Sequence, residues 1–446
     1  MKKKFTYIDL FSGPGGLCTG FKYEGFIPRI AVEISNNTVQ TYSENHDAEI
    51  YNLDDLLKNI DNLENILLPT LKTCLIHGDI NKVTNELISR ILKVKFNEFE
   101  VDLVTGGAPC ESFSLAGDRA ENDSRDDLFS NIIRIAHYVH AKFILFENVQ
   151  GILSKKLDNK TGGIFKYVIE QFETPDKITG IKYNVVSKKP EDITLVSSDF
   201  GAPQIRKRVF VIACNSLYDN TFRYPKKTHG ENCKYPYVTV EQALSYLPLL
   251  KSGEGTDVSH FNNTYVNDFN LGKISESHYE YIRRMQLNLD LNLKTDDLVF
   301  NHKAVNHRKG MLIRFENILT GENMSKACTR LILDGKEKIV NEYFPKKLYA
   351  ARNRRLVPDK PSFTVTSHCL DEMLHPFENR QLTPREVARL QCFPDWYNFQ
   401  GPFVKFHSDP EQDMYEQIGD AIPVVLAQAL AKELYAAIVD IKKKTR

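Results

Sequence analysis

The sequence carries no charge imbalance: 58 Lys and Arg stand against 58 Asp and Glu across 446 residues. No global polycation advertises a nucleic-acid partner, so any nucleic-acid face must be local. Paired cysteines are missing too. The eight, at positions 18, 74, 110, 214, 233, 328, 369 and 392, form no CxxC pair and no Cys/His cluster at zinc spacing, which argues against a disulfide scaffold or a structural zinc. Most are expected to be small core residues. The opening MKKKFTYIDLF meets Asp9 and a glycine turn too soon for a signal peptide or a spanning helix, so a cytoplasmic protein without membrane contact is expected. Internal repeats and low-complexity linkers are absent. The length suggests two or three domains, room enough for an enzyme with a separate recognition region.

What is present is alternation. FTYIDLF, RIAVEI, CLIHGDI, VDLVTGG, KFILFENV and RVFVIAC read as buried strands, each bounded by Gly, Pro, Asn or Asp. Between them LCTGFKYEG, NTVQTYSEN, LFSNIIRIAHYVH and GIFKYVIEQF have helical spacing. Strand and helix in turn predict an α/β fold with a doubly wound, mostly parallel sheet over residues 1–224. Residues 51–73 read as a helical insertion. From 225 the chain turns rich in Tyr, Asn, His and Lys with weak periodicity, which marks a second, smaller, irregular domain and hinge over 225–400. Order returns at RQLTPREVARLQCFPDWY. Residues 401–446 then carry a strong final helix, begun near Pro423 and apolar enough to pack back on the sheet.

YIDLFSGPGGLCTGF has the layout of a strand, a glycine turn and a helix, where backbone N–H groups approach a polar ligand closely. Gly13, Gly15 and Gly16 supply the turn, but the third glycine of GxGxxG would fall at Cys18, so the nicotinamide fingerprint is not met. Glu33, twenty residues after Gly13, is placed to accept from ribose hydroxyls, and Asp79 in HGDI to read an adenine amino group. The ligand this suggests is an adenosine without a pyrophosphate, and S-adenosyl-L-methionine fits. The plainer alternative is a tight turn with both acids serving as helix caps.

TGGAPCESFS holds Cys110 directly after Pro109 in a glycine turn that follows VDLV, a setting no buried structural thiol needs. FENV places Glu147 at the end of an apolar strand, and QIRKR brings Arg206 and Arg208 just before another. In an open α/β sheet the C-terminal ends of the strands share one crevice, which would bring Cys110 and Glu147 together.

With DLFSGPGGLCTGF, GDI, TGGAPCESFS, FENVQG, GAPQIRKRVFVI, RQLTPREVARLQCFPD and IGDAIP in this order and at compatible spacings, the chain resembles the cytosine-C5 DNA methyltransferases. The resemblance implies a Rossmann-like methyltransferase fold, with residues 225–375 at the place of a target-recognition region. It also implies S-adenosyl-L-methionine as cofactor, double-stranded DNA as partner, and 5-methylcytosine as product.

The chemistry accounts for the residue types. Cytosine C5 is a poor nucleophile until a thiolate adds at C6, and an acid near N3 draws the charge out of the ring. Cys110 matches the nucleophile and Glu147 the acid. Arg208 matches the residue at the base O2, and Arg206 the support of a closed catalytic loop. Pro109 fixes the approach of Cys110, and Asn148 orients that turn. This chemistry requires no metal.

The cofactor pocket implied comprises Asp9, Phe11, Gly13, Gly15, Gly16, Glu33, Ile34, Asp79, Ile80, Gly107, Pro109, Leu128, Asp420 and Ala421, with Phe11 stacking on adenine. A base inside a duplex must be swung out to be attacked. Residues 112–129 read as a lid, with Ser112, Ser114, Arg119 and Arg125 contacting phosphates, and Arg352, Arg354 and Arg355 as a DNA-facing strip.

Three positions depart from the family pattern: Glu111 where Gln is usual, Asp420 for the Asn of the final GN pair, and Ile34 where a second aromatic is common. A bacterial or phage modification enzyme, monomeric and with a companion restriction endonuclease on the same site, is the setting implied. Two rivals differ in substrate or class. A transfer-RNA cytosine methyltransferase typically carries PPC and a CFT signature, where this chain has APC and none; a non-catalytic DNA-binding relative would have no need of Cys110, Glu147 and Arg208 together.

Overall fold

The computed structural model describes residues 3–108, 127–157, 160–287, 298–405 and 409–443, which divide into two compact units. The first comprises Met1–Val196, Lys207–Lys226 and Leu426–Arg446; the second Ser197–Arg206 and Lys227–Val425. These bounds differ from breaks at 224 and 400, because the loop before Arg206 belongs to the second unit and only the chain from Leu426 rejoins the first.

The first unit is built on a nine-stranded sheet. Its strands are β1 (Phe5–Leu10), β2 (Phe26–Glu33), β3 (Ala48–Asn52), β4 (Thr73–His77), β5 (Leu103–Gly106), β6 (Phe143–Val149), β7 (Tyr183–Val185), β8 (Thr194–Val196) and, after the short β9 (Gln204–Ile205) of the other unit, β10 (Lys207–Asn215). The order is β3-β4-β2-β1-β5-β6-β10-β7, with β8 also on β10. The six strands from β3 to β6 run parallel, and β10 runs antiparallel to its neighbours β6, β7 and β8.

All six strands expected from sequence are in this sheet, and it is doubly wound and mostly parallel as expected. The central strands read as continuous apolar runs because both faces are covered: Phe143, Ile144, Leu145 and Phe146 are all fully buried. The insertion is a correction. Its first residues, Tyr51 and Asn52, complete the edge strand β3, and only then follow α-helix Leu53–Lys58 and a 3₁₀ segment Ile60–Asn65.

In the second unit the paired strands are short: Gly255–His260 with Leu298–Lys303, Arg354–Arg355 with Met373–Leu374, and Ser362–Phe363 with β9. Helices Lys309–Glu316, Met324–Leu333 and Glu337–Tyr343 surround a small core of Phe315, Ile318, Met324, Leu331 and Phe344. The expected TPREVARL helix is Pro384–Leu390, opened by Pro384 and a capping box between Thr383 and Glu386. The chain past 401 forms two helices rather than one. Met414–Asp420 ends at Ala421, which is extended, and Val424–Asp440 starts just after Pro423.

Candidate active site

After β1 the chain turns through Phe11, whose φ of +56° is left-handed and strained for a residue with a side chain. Gly13 (φ +54°) and Gly15 (φ +94°) complete the turn, and Gly15 caps α1 (Gly16–Tyr23). A Cβ at Gly13 would meet nothing within 4 Å, so that residue is needed for its conformation and borders open space. Glu33, at the end of β2, holds the turn from the side. Its carboxylate accepts from the backbone N–H groups of Gly13 (3.0 Å), Ile34 (2.8 Å) and Ser35 (3.0 Å). Burial pushes its pKa up, and these three donors pull the other way.

Asp79 caps its own turn by accepting from Asn81 N at 2.9 Å, and the adjacent Gly78 N–H donates to the Glu33 carbonyl at 2.9 Å. Asp79 thus acts as a cap, whereas Glu33 does not, since the helix after β2 starts from Ser35 without a side-chain cap; the two acids follow the neighbouring strands β2 and β4. Ile80 is buried, whereas Ile34 is 65% exposed. Leu128, on α-helix Asp127–Tyr138, is half-buried against the main core.

Asp9 lies deeper. It is 3% exposed; Oδ1 accepts from the Thr105 hydroxyl at 2.7 Å, and Oδ2 has no partner among the described residues. Burial raises its carboxyl to about 7, against the Thr105 hydrogen bond and with help from the Glu33 charge. The Ser12 hydroxyl is likewise buried without a partner among the described residues. Ser12 and Thr105 were not singled out from sequence. Both sit inside the two glycine-bearing strings, and that nearness was the only signal available.

One strand further, β5 delivers Gly106 and Gly107 beside β6. A Cβ at Gly106 would come within 2.5 Å of Ile132 Cδ1, and one at Gly107 within 3.0 Å of Glu147 Oε2. Glycine here lets a helix close onto the strand and lets the Glu147 carboxylate lie against the backbone. β6 and β10 pair antiparallel with Glu147 opposite Phe210 and Arg208 opposite Val149. Arg208 Nε then meets Glu147 Oε1 at 3.0 Å, both side chains 14% exposed. Asn148 Nδ2 donates to the Ala108 carbonyl at 3.1 Å, and its Oδ1 accepts from Val149 N at 2.9 Å, so it ties the end of β6 to the residue that precedes Pro109. Pro109, Cys110, Glu111, Ser112, Ser114, Arg119 and Arg125 lie outside the described residues.

In the second unit, Arg206 is buried, and its guanidinium donates to the Val365 carbonyl. Asp420 is exposed and accepts from Gln412 Nε2 at 2.7 Å, while the Ala421 carbonyl accepts from Gln391 Nε2 at 3.1 Å. Gly419 has no room for a side chain, since the Thr366 carbonyl oxygen is 2.2 Å from where a Cβ would stand.

The arginine strip divides. Arg352 is exposed and reaches Asp371 at 3.4 Å. Arg354 pairs with Glu372 at 3.2 Å and stacks on the Phe363 ring. Arg355 does not face DNA: it is 6% exposed and gives its donors to the carbonyls of Phe315, Ile318, His375 and Glu378 and to Asn379 Oδ1. A guanidinium so occupied is a clamp within its own unit.

Comparison with known proteins bears on the family and the fold. The family model described as C-5 cytosine-specific DNA methylase matches residues 5–69 and 70–436. The chain is 31% identical over 430 residues to the Type II methyltransferase M.DdeI of Desulfomicrobium norvegicum, covering 96% of this chain and 88% of that protein. It is 28% identical to the Type II methyltransferase M1.HphI of Haemophilus parahaemolyticus, covering 96% and 86%. Among solved structures, a candidate DNA modification methyltransferase encoded within an E. coli prophage superposes with a TM-score of 0.63 at 23% identity, over 98% of this chain and all of that one.

Proposed function

Since the chain belongs to the C-5 cytosine-specific DNA methylase family, we propose that this DNA cytosine-5 methyltransferase acts through a transient bond between Cys110 and C6 of a cytosine swung out of duplex DNA, with S-adenosyl-L-methionine as methyl donor. The observation that carries the mechanism is the Glu147–Arg208 pair, 3.0 Å apart on adjacent strands, with the Glu147 carboxylate lying against Gly107. A carboxyl and a guanidinium fixed side by side match the N3 and O2 edge of a cytosine ring. Arg208 takes O2. Glu147 takes N3 and draws charge from the ring as the Cys110 thiolate adds. Asn148 holds the turn through the Ala108 carbonyl.

The residues of the first glycine turn fit the proposed cofactor. Two buried polar atoms without partners among the described residues, Asp9 Oδ2 and Ser12 Oγ, lie on the strand and turn that lead to Gly13, which itself borders open space. When bound, the cofactor supplies an electrophilic methyl group on a sulfonium. Glu33 and Asp79, already oriented by backbone donors, keep acceptor lone pairs for the adenosine hydroxyls and amino group. The setting we propose is a cytoplasmic, monomeric modification enzyme with a companion restriction endonuclease; bisulfite sequencing of DNA from expressing cells reads the methylated word.

Cys110→Ala is expected to abolish methyl transfer while leaving cofactor affinity nearly unchanged, measured by tritium transfer and by equilibrium binding. A duplex carrying 5-fluorocytosine at the target is expected to trap a covalent complex, because fluorine cannot leave as the C5 proton does. Residual methylation by the alanine variant would refute the nucleophile assignment.

A further inference from the structure

The charge balance of the whole chain conceals a local excess. Residues 301–360 hold 14 Lys or Arg against six Asp or Glu, a net of +8 in a protein that is neutral overall. Several of these cations are already committed inside the second unit. Arg330 binds Glu322 at 2.8 Å, Arg355 is the buried clamp described above, and Arg314 donates to the Tyr343 carbonyl at 2.6 Å. Two others share a cleft of about 220 Å³ whose walls are Asn323, Lys326, Arg354, Lys360, Ser362 and Phe363. Neither the Lys326 nor the Lys360 ammonium has a hydrogen-bond or ion-pair partner among the described residues.

The polar groups around them are occupied. Glu322 is held by Arg330 through both carboxylate oxygens (2.8 and 3.0 Å), Asn323 donates to the Ala350 carbonyl at 2.9 Å, and the Ser362 hydroxyl donates to the Phe363 carbonyl at 3.0 Å. Arg354 forms one wall, its guanidinium 3.2 Å from the Phe363 ring centroid and 3.2 Å from Glu372. The cleft therefore offers two ammonium groups without a hydrogen-bond partner among the described residues, and the carboxylates nearest it, Glu322 and Glu372, are already held by Arg330 and Arg354.

We infer that the Lys326–Lys360 cleft seats a backbone phosphate of the DNA substrate, an inference that rests on the proposed function for the identity of the polyanion. Two lysines converging on one phosphodiester act as point charges and read no sequence; their effect is to hold the duplex in register for whatever reads the bases. Seating one phosphate displaces its condensed counterion, so the cleft contributes about 0.9 to the slope of log affinity against log salt.

The test uses the full-length protein and a fluorescent duplex, with binding followed by anisotropy across a salt series, and methylation measured on plasmid DNA that the wild type modifies. Lys326→Ala/Lys360→Ala is expected to weaken DNA binding roughly tenfold at moderate salt and to reduce the salt slope by about one. Its thermal midpoint should stay at the wild-type value. Lys336→Ala/Lys338→Ala removes two exposed cations from the same basic stretch and should leave the slope nearly unchanged. An unchanged slope in the first variant, or equal losses in both, would overturn the cleft in favour of diffuse attraction. Should the wild type bind duplex DNA without methylating any, the catalytic reading fails and the slope comparison still decides the cleft.

Discussion

At the scale of single residues, the sharpest tension is Asp9. A carboxyl 3% exposed with one oxygen unpartnered is costly to ionise, and its pKa rises from 3.8 to about 7. The folded protein thus binds the Asp9 proton more tightly than the unfolded chain does. That contribution to stability is complete below about pH 4 and is lost as pH rises toward 7. Asn at this position cannot ionise, although its amide leaves a donor unpaired. Asp9→Asn is therefore expected to be more stable than the wild type at pH 8 and less stable near pH 4, where the protonated carboxyl fits and the unpaired amide donor still costs, as measured by urea unfolding at both pH values. Cofactor affinity should fall in the same variant. A wild type that is the more stable at pH 8 would mean that Asp9 is paired in solution. Residue identity in the site was readable where chemistry demands a type: Glu147, Arg208 and Asn148 stand in strings whose order points to them. Asp9's orphaned oxygen and Arg355's burial were not readable, because both depend on distant groups. Arg355 sits in AARNRR, which reads as a surface strip until the carbonyls of residues 315, 318, 375 and 378 converge on it.

At the scale of elements, helix Pro384–Leu390 shows what pattern reading reaches and what it misses. Thr383, Pro384 and Glu386 are start signals in any sequence, and the helix begins there. Its arginines and glutamate would ordinarily mark a solvent face. Here every residue of the helix is buried, and Arg380 closes on Glu386 with two contacts of 2.7 Å. Glu386→Gln leaves Arg380 buried without its counter-charge and is expected to cost about 3–5 kcal/mol in urea unfolding. Loss of less than 1 kcal/mol would show that water reaches the pair. The same element sets a response to acid. His302 meets Thr383 Oγ1 at 2.9 Å, and His375, beside Glu386, Arg380 and Arg355, accepts through Nδ1 from the N–H groups of Phe377 and Glu378. Burial lowers all three histidines, with His307 and His375 falling to about 4. Their neutral forms are the folded forms, so their contribution is whole above pH 6.5 and is lost as pH falls from 6.5 toward 4, opposite in sign to that of Asp9. In the Asp9→Asn variant, which removes that opposing titration, a urea midpoint flat across the window would contradict this account.

At the scale of the whole molecule, the alternation of strand and helix made the parallel sheet legible because long apolar runs survive any local noise. The three strands not foreseen, β3, β7 and β8, have five, three and three residues, too few for a period to declare itself. The C-terminal chain poses the last question. Met414–Asp440 is apolar and long enough to cross a membrane by length and composition. In the fold its apolarity has another use. From Leu426 onward the buried residues are Leu426, Ala427, Leu430, Ala431, Leu434, Ala437 and Ile438, one stripe at helical spacing. Tyr435 packs its ring 5.0 Å from that of Phe5, and Gln428 Nε2 donates to Glu24 at 2.9 Å. Burying the three leucines alone is worth on the order of 5–9 kcal/mol, as large as the whole net stability of a typical domain. A protein ending at Val425 should consequently lose the first unit: insoluble on expression, or soluble without cooperative unfolding and without cofactor binding. The intact chain should remain in the supernatant when membranes are pelleted. A truncated protein that unfolds at the wild-type urea midpoint, or an intact one that pellets with membranes, would show that the stripe faces something other than the sheet.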